Sequence, residues 1–363
     1  MIPTSYDTNV STKPDVVVVG AGVFGAWTAY HLKRRGARVL LIDQHGAGNS
    51  RSSSGGETRI IRMSYGPSGI YTRSSMRSLE LWKELCPLLF HQTGVLVTAS
   101  ASDPYLVATR ETLSRCGVKH EYLKHTALRK QFPQIALDQD TAGIWEPDSG
   151  VLMARRAVQA VVEASGADYE IRTGDTKIRA GAVVYACGPW LPKLFPDILR
   201  GRIRPTRQEV FFFGTPPGYK SPPTWIAFRE GVYSVPALDG RGFKIALDSH
   251  GPAFDPETGS REVTASALRG TRAILRKRFP GLANAPLLES RVCQYENTSN
   301  GDFLIDRHPD FKNVWLVGGG SGHGFKHGPF VGEYVASQIA GTAPPEPRFS
   351  LASKKATRQR SVY

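Results

Sequence analysis

The chain has 363 residues and a 40% hydrophobic content, enough for two domains around a sizeable core. Its 46 Lys+Arg against 32 Asp+Glu leave a net charge of +14. The basic residues are scattered and no nucleic-acid motif accompanies them, so this charge predicts attraction for an anionic cofactor and substrate and no nucleic-acid role.

No apolar run reaches the roughly 18 residues of a membrane span. Met1 to Lys13 lacks the apolar core of a secretory signal, and Ser361-Val362-Tyr363 is not a peroxisomal address. Cys86, Cys116, Cys187 and Cys293 are too irregularly spaced for a zinc site or a disulfide framework. Together these features predict a cytoplasmic protein without a bound metal or a membrane partner.

Val16-Val17-Val18-Val19 predicts a buried parallel strand. Gly20-Ala21-Gly22-Val23-Phe24-Gly25 follows as a G-x-G-x-x-G turn. Gly20 serves the tight turn, Gly22 the approach of a pyrophosphate, and Gly25 the packing of helix on strand. The helix over 22–35 ends in Lys33-Arg34-Arg35-Gly36, cations and a glycine suited to a helix C-terminus. A second strand, Arg38 to Ile42, ends in Asp43, about 20 residues beyond the glycines, where the acceptor for a ribose hydroxyl belongs. The order predicts a dinucleotide site.

Residues 46–57 are polar and glycine-rich, either a surface loop or a loop of small donors wrapped around a cofactor. Thr58-Arg59-Ile60-Ile61-Arg62 favours the second, because arginines among apolar residues need an anionic partner. No acid lies between Glu57 and Glu80, so that partner is a distant acid or a ligand carboxylate.

A helix is predicted over 69–85, a strand from Thr93 to Val97, a helix over 104–116, a turn over 145–150 and a helix over 153–165. The strand Ala182 to Ala186 runs into a second strand–turn–helix junction, Cys187-Gly188-Pro189-Trp190. Between 201 and 300 short strands (210–214, 224–228, 231–235, 242–247) alternate with Pro and Gly turns, predicting an antiparallel sheet crossed by a helix over 264–279. The strand Asn313 to Val317 enters the glycine-rich run Gly318 to Gly328, and Pro329 opens the last helix. From Phe311 to Gly332 there is no acid but there are Lys312 and Lys326, so the run is either a hinge or a second cationic pocket at a helix N-terminus. Lys354 to Arg360 reads as a frayed, solvated end.

Gly20-Ala21-Gly22-Val23-Phe24-Gly25, Thr58-Arg59-Ile60-Ile61-Arg62, Cys293-Gln294-Tyr295, Phe303-Leu304-Ile305-Asp306 and Ser321-Gly322-His323-Gly324-Phe325-Lys326 resemble the monomeric sarcosine oxidase and N-methyltryptophan oxidase family. Those flavoenzymes belong to the D-amino-acid-oxidase-like group, and the resemblance runs from about Asp15 to Gly341. It implies FAD and an interleaved architecture. An α/β Rossmann-type FAD-binding domain would take 14–93, 149–200 and 301–345. An α+β substrate domain with a mixed or antiparallel sheet would take 94–148 and 201–300, leaving 346–363 as a C-terminal tail.

The resemblance further implies a thioether from Cys293 to the flavin, where the bland reading is a small buried hydrophobe. Arg62 and Lys326 would hold the substrate carboxylate, Arg59 and Thr58 would lie beside the flavin ring, and Tyr233 and Tyr295 would line the pocket. Lys244 would assist the reaction with oxygen, unless it is a strand lysine facing solvent. Cofactor contacts are implied at Gly20, Gly22, Val23, Phe24, Gly25, Asp43, Gln44, Ser50, Arg51, Cys187, Gly188, Trp190, Gly320, Gly322, His323, Gly324 and Phe325. The chain departs from the family at Asp248, where the sarcosine enzymes have histidine and the fructosyl-amino-acid oxidase branch an acid. It departs again at Gly66-Pro67, where an acidic residue is common.

The expectation is a monomeric FAD oxidase of N-methyl, cyclic or otherwise N-substituted amino acids that releases hydrogen peroxide. The alternatives are a fructosyl-amino-acid oxidase, an amine dehydrogenase with another electron acceptor, and a flavin-bearing subunit without turnover. Retention of both Arg62 and Lys326 argues against the last.

Overall fold

The computed structural model describes residues 13–355 apart from 173, 175 and 176. The expectations for Met1 to Thr12 and for the tail beyond Lys355 lie outside the described residues. The first sheet has six strands in the order Leu304–Arg307, Val314–Gly318, Ala182–Tyr185, Val16–Val19, Val39–Asp43 and Asp168–Ile171. Within it the edge strand Leu304–Arg307 runs antiparallel to its neighbour and the other pairings are parallel. Val16–Val19 sits in the interior of this sheet, which is why it is continuously β-branched.

The helices Val23–Arg34, Ala154–Ser165 and Gly328–Ile339 pack together over this sheet. Trp27 is fully buried among them, its ring meeting the edge of Trp82 at 5.1 Å. The close approach depends on Gly332, where a Cβ would come within 2.4 Å of the Trp27 backbone.

The second sheet has eight strands: Leu287–Thr298, Ile203–Phe213, Phe243–Leu247, Val232–Val235, Thr224–Ala227, Val95–Ser100, Thr141–Glu146 and Glu121–Lys124. It is antiparallel except where Thr224–Ala227 meets Val95–Ser100. The helix Ala265–Arg278 begins at Thr264, whose hydroxyl accepts the Ala267 N–H at 3.2 Å. Leu275 and the following Phe279 enter a core with Phe211, Phe213, Trp225 and Phe243. A small sheet of Thr58–Ile61, Gly150–Met153 and Phe90–His91 completes the set.

Four features differ from the sequence expectations. The strand expected over 210–214 extends back to Ile203 and pairs along its length with Leu287–Thr298, a strand the pattern did not announce. Asp168–Ile171 forms the far edge of the first sheet. Trp145 and Glu146 end a strand, and only 147–149 turn. Lys354, expected at a solvated end, is 1% exposed and donates to the Arg348 carbonyl and the Ser353 hydroxyl.

Candidate active site

Between the sheets lies a cavity of about 450 Å³. One wall is the turn after Val16–Val19. Gly20 has φ +104°, and a Cβ there would stand 2.5 Å from the Ala186 carbonyl. Gly22, Val23 and Phe24 face the cavity at the N-terminus of the first helix. Gly25 lies behind them; its Cβ would fall 1.8 Å from the Gly20 carbonyl, so its role is helix–strand packing and not cavity lining.

Asp43 and Gln44 line the far end. The Asp43 carboxylate accepts the Ala21 and His45 N–H groups, both at 2.7 Å, which ties the second strand to the glycine turn. The polar segment over 46–57 wraps back to this helix, and Ser54 Oγ accepts the Val23 N–H at 3.0 Å. Opposite stand Cys187, Gly188 and Trp190, then Gly320, Gly322, Gly324 and Phe325.

Four lining residues carry buried polar atoms without a hydrogen-bond partner among the described residues: His45 Nε2, Ser53 Oγ, Gln294 Oε1 and Glu296 Oε2. Orphaned groups of this kind are costly, so the cavity is built for a polar ligand. An elongated dinucleotide with a glycine turn at its diphosphate fits that donor and acceptor set.

At the other end the cavity reaches Arg59 and Tyr295. Arg59 donates to the Ser53 carbonyl at 2.6 Å, to the Thr58 carbonyl at 2.8 Å and to Cys293 Sγ at 3.3 Å. Lys244 is 3% exposed; it donates to the Thr58 carbonyl at 3.0 Å and the Thr58 hydroxyl at 3.2 Å, over the Tyr233 ring at 5.3 Å. It therefore faces inward, not solvent. Burial and the neighbouring Arg59 charge pull its pKa down to about 7. Ser50, Arg59, Lys244 and Cys293 share a hollow of about 20 Å³, room for one water.

The remaining predicted cations gather on one tyrosine. Arg62 lies 4.5 Å over the Tyr65 ring. Lys326 Nζ donates to Tyr65 Oη and to the His323 carbonyl, each at 2.9 Å. Burial, with the Arg62 charge, holds the Lys326 pKa well below its usual value, and Asp248 opposes that shift. Asp248 also supports the charge of Arg62, against burial and together with Tyr105, Tyr65 and Glu146. Its Oδ1 accepts the Tyr295 hydroxyl at 2.7 Å.

Besides Gly25, Ser50, Cys293 and Lys326, two more residues expected at the cofactor stand off the wall of the main cavity. Arg51 turns to the Glu257 carbonyl at 2.9 Å, and its own carbonyl accepts from the lining residue Gln294. The His323 ring stacks on Phe303, and its Nε2 pairs with the Gly301 carbonyl at 3.0 Å. Arg62, Lys326, Tyr233 and Asp248 also lie outside the lining of the main cavity, beside it and not on it.

Sequence reasoning missed several participants. His327 Nε2 meets Tyr65 Oη at 2.8 Å and its Nδ1 meets Ser74 Oγ at 2.8 Å. Glu146 takes the Met63 N–H at 2.7 Å, the Ser64 N–H at 2.9 Å and both the Ser64 and Ser149 hydroxyls. Lys326 and His327 occupy one short turn, and that adjacency was the available signal for His327. Nothing local marked Tyr65 or Glu146.

A family model described as FAD dependent oxidoreductase (DAO) matches residues 15–338. The chain belongs to the FAD-dependent oxidoreductase family. It is 33% identical to a monomeric sarcosine oxidase of Bacillus sp. (strain NS-129), covering 95% of this chain and 97% of that protein. It is 30% identical to the peroxisomal sarcosine oxidase of Mus musculus over 94% of the chain and 97% of that protein. It is 28% identical to the N-methyl-L-tryptophan oxidase of Citrobacter koseri over 92% and 96%.

Among solved structures, the L-proline dehydrogenase of P. horikoshii superposes with a TM-score of 0.81 at 23% identity, over 93% of this chain and 97% of that one. An Amadoriase I mutant of Aspergillus fumigatus gives 0.78 at 19%, over 95% and 90%. At these identities the two structures speak for the fold. The cofactor of this family is FAD.

Proposed function

We propose that this oxidoreductase is an oxidase of amino acids carrying a secondary amine, N-methylated, cyclic or otherwise N-substituted. One observation carries the reading: two buried cations, Arg62 and Lys326, converge on Tyr65 beside the cofactor cavity. Their pairing suits one carboxylate, with a planar fork from arginine and a point charge from lysine. As the ammonium, Lys326 has three N–H donors, two of them on Tyr65 and the His323 carbonyl, and the third is left for the substrate. Burial and the Arg62 charge lower its pKa, and an arriving carboxylate favours the charged form again.

In this reading Asp43 takes a ribose hydroxyl, the Gly20–Phe24 turn takes the diphosphate, and Thr58, Arg59 and Cys293 surround the flavin ring, with Cys293 its covalent anchor. FAD held there would supply the two-electron oxidation of the C–N bond, with oxygen as the final acceptor and an imine and hydrogen peroxide as products. Tyr233 and Tyr295 wall the space for the amine substituent. Arg62 and Lys326 orient the substrate by its acid end. Lys244 places a cation where negative charge develops in the oxygen step. The first sheet and its helices serve as the cofactor domain (14–93, 149–200, 301–345) and the eight-stranded sheet as the substrate domain (94–148, 201–300). No helix among the described residues is long and apolar enough to cross a membrane. We read the protein as a cytoplasmic monomer.

A second reading has a specific motive. The Asp248–Tyr295 pair adds acceptor capacity near the two cations, suited to a hydroxyl-rich substituent such as the sugar of a fructosyl-amino acid. The experiment is a panel of N-methyl, cyclic and fructosyl amino acids added anaerobically. Flavin bleaching identifies the substrate, and peroxide release on admitting air separates an oxidase from a dehydrogenase. Absence of bleaching with every N-substituted amino acid overturns the proposal.

A further inference from the structure

Glu296 is a buried acid inside the cofactor cavity with half of its carboxyl unused. It stands near the end of the long strand Leu287–Thr298 and is 7% exposed. Its Oε1 accepts the Gly320 N–H at 3.2 Å, while its Oε2 has no partner among the described residues. Three glycines surround the group. A Cβ on Gly318 would stand 3.1 Å and one on Gly188 3.9 Å from Oε2, and one on Gly320 would stand 3.6 Å from Oε1. Leaving a buried carboxyl oxygen unpaired is costly, so the site calls for a ligand group there.

Its position along the cavity defines what can pair with it. Gly188 follows Ala186, whose carbonyl closes over the Gly20 turn where the diphosphate belongs. On the other side, Tyr295 packs against Gly322 toward the Arg59 end of the cavity, where the ring belongs. Glu296 thus lies between the phosphate turn and the ring site. In FAD that interval is the ribityl chain, whose hydroxyls can both donate and accept. A phosphate oxygen would repel an ionised carboxyl; a hydroxyl satisfies either form. Burial raises the carboxyl to about 7, against the backbone N–H groups of Gly320 and Gly319, so near neutrality both its protonated and its ionised form are present for a hydroxyl to pair with.

We propose that Glu296 is a cofactor-anchoring residue whose carboxyl pairs with a hydroxyl of the FAD ribityl chain. This rests on the family's cofactor and not on the choice of amine. The test is made in a Cys293→Ala background, where the flavin exchanges whether or not the cysteine carries it. Apoprotein is titrated with FAD and, separately, with ADP, which has the diphosphate but no ribityl chain. Glu296→Met keeps the volume and removes the polar group, and Glu296→Ala is the smaller alternative should the first fail to fold. In either variant the FAD dissociation constant should rise tenfold or more while that of ADP stays within twofold. Glu296→Gln, which still accepts and donates, should return FAD to within threefold of the parent. Unchanged FAD binding in the apolar variants overturns the proposal, as does an equal loss of FAD and ADP, which would mark general damage to the cavity.

Discussion

Lys244 is fastened twice to Thr58, at 3.0 Å to its carbonyl and 3.2 Å to its hydroxyl, so the eight-stranded sheet and the small sheet together fix one lysine nitrogen in the hollow it shares with Arg59 and Cys293. A cation held before the reaction begins costs no reorganisation when charge develops. Lys244→Met should therefore slow reoxidation of reduced flavin by about 10²-fold, with a far smaller effect on anaerobic reduction by substrate. The pH dependence has a defined sign. Burial and Arg59 lower the lysine to about 7, so its charge is present below that pH and is lost as pH rises through it. Reoxidation in the parent should fall above neutrality and stay flat in Lys244→Met. Stopped-flow measurement of both half-reactions decides the matter, and a pH-independent parent rate would remove Lys244 from the oxygen step.

Arg62 and Lys326 should act on the acid end of the substrate alone. Losing one charge-assisted hydrogen bond costs about 1.5–3 kcal/mol, which is tenfold or more in affinity. Arg62→Ala should weaken a carboxylate ligand by at least that factor, and esterifying the ligand should do the same to the parent. Because burial and Arg62 lower the Lys326 pKa, a bound carboxylate should raise it again, and binding should take up a proton in the pH range where the free group titrates. Calorimetry in buffers of different ionisation enthalpy reads that uptake. Equal binding of acid and ester would count against the assignment.

Cys293 Sγ accepts from the Arg59 guanidinium at 3.3 Å, a contact that fixes where the sulfur points. A thioether to the flavin should survive acid precipitation as a yellow pellet. Cys293→Ala should release all flavin to the supernatant. Arg59→Lys should slow attachment when apoprotein is mixed with FAD, followed by the flavin retained after denaturation. Flavin retained by denatured Cys293→Ala would place the bond elsewhere or exclude it.

The nucleotide half of the site was readable because backbone geometry constrains the residue type there. Gly20 at φ +104° and the acid Asp43 receiving two backbone N–H groups leave few alternatives, and the hydrophobic pattern around them is regular. The strand Leu287–Thr298 was not readable for the opposite reason. Gln294 and Glu296 line a cofactor cavity, so polar residues occupy positions where a half-buried strand would otherwise show apolar alternation. Tyr65, His327 and Ser74 form their chain of contacts across 65 to 327, a separation that local periodicity does not register. Lys354 misled because its charge suggested solvent, whereas its ammonium closes the Arg348–Ser353 turns.

Glu146 offers a test of how the substrate cations are held. It is 1% exposed at the end of Thr141–Glu146, and it fastens that strand to the stretch that follows Arg62 through the Met63 and Ser64 N–H groups. Removing the carboxylate strands both donors in the interior, and each unsatisfied buried donor costs about 1–3 kcal/mol. Glu146→Ala should lower unfolding stability by about 2–5 kcal/mol, read from urea titration of the holoenzyme. The same change should raise the dissociation constant of a carboxylate ligand, because Arg62 loses both its backbone anchor and a supporting negative charge. Glu146→Gln keeps one acceptor oxygen and should fall between the two in stability. A loss below about 1 kcal/mol for Glu146→Ala would mean that water or a shifted backbone satisfies the two N–H groups. The Arg62 segment would then hold its shape without the strand behind it.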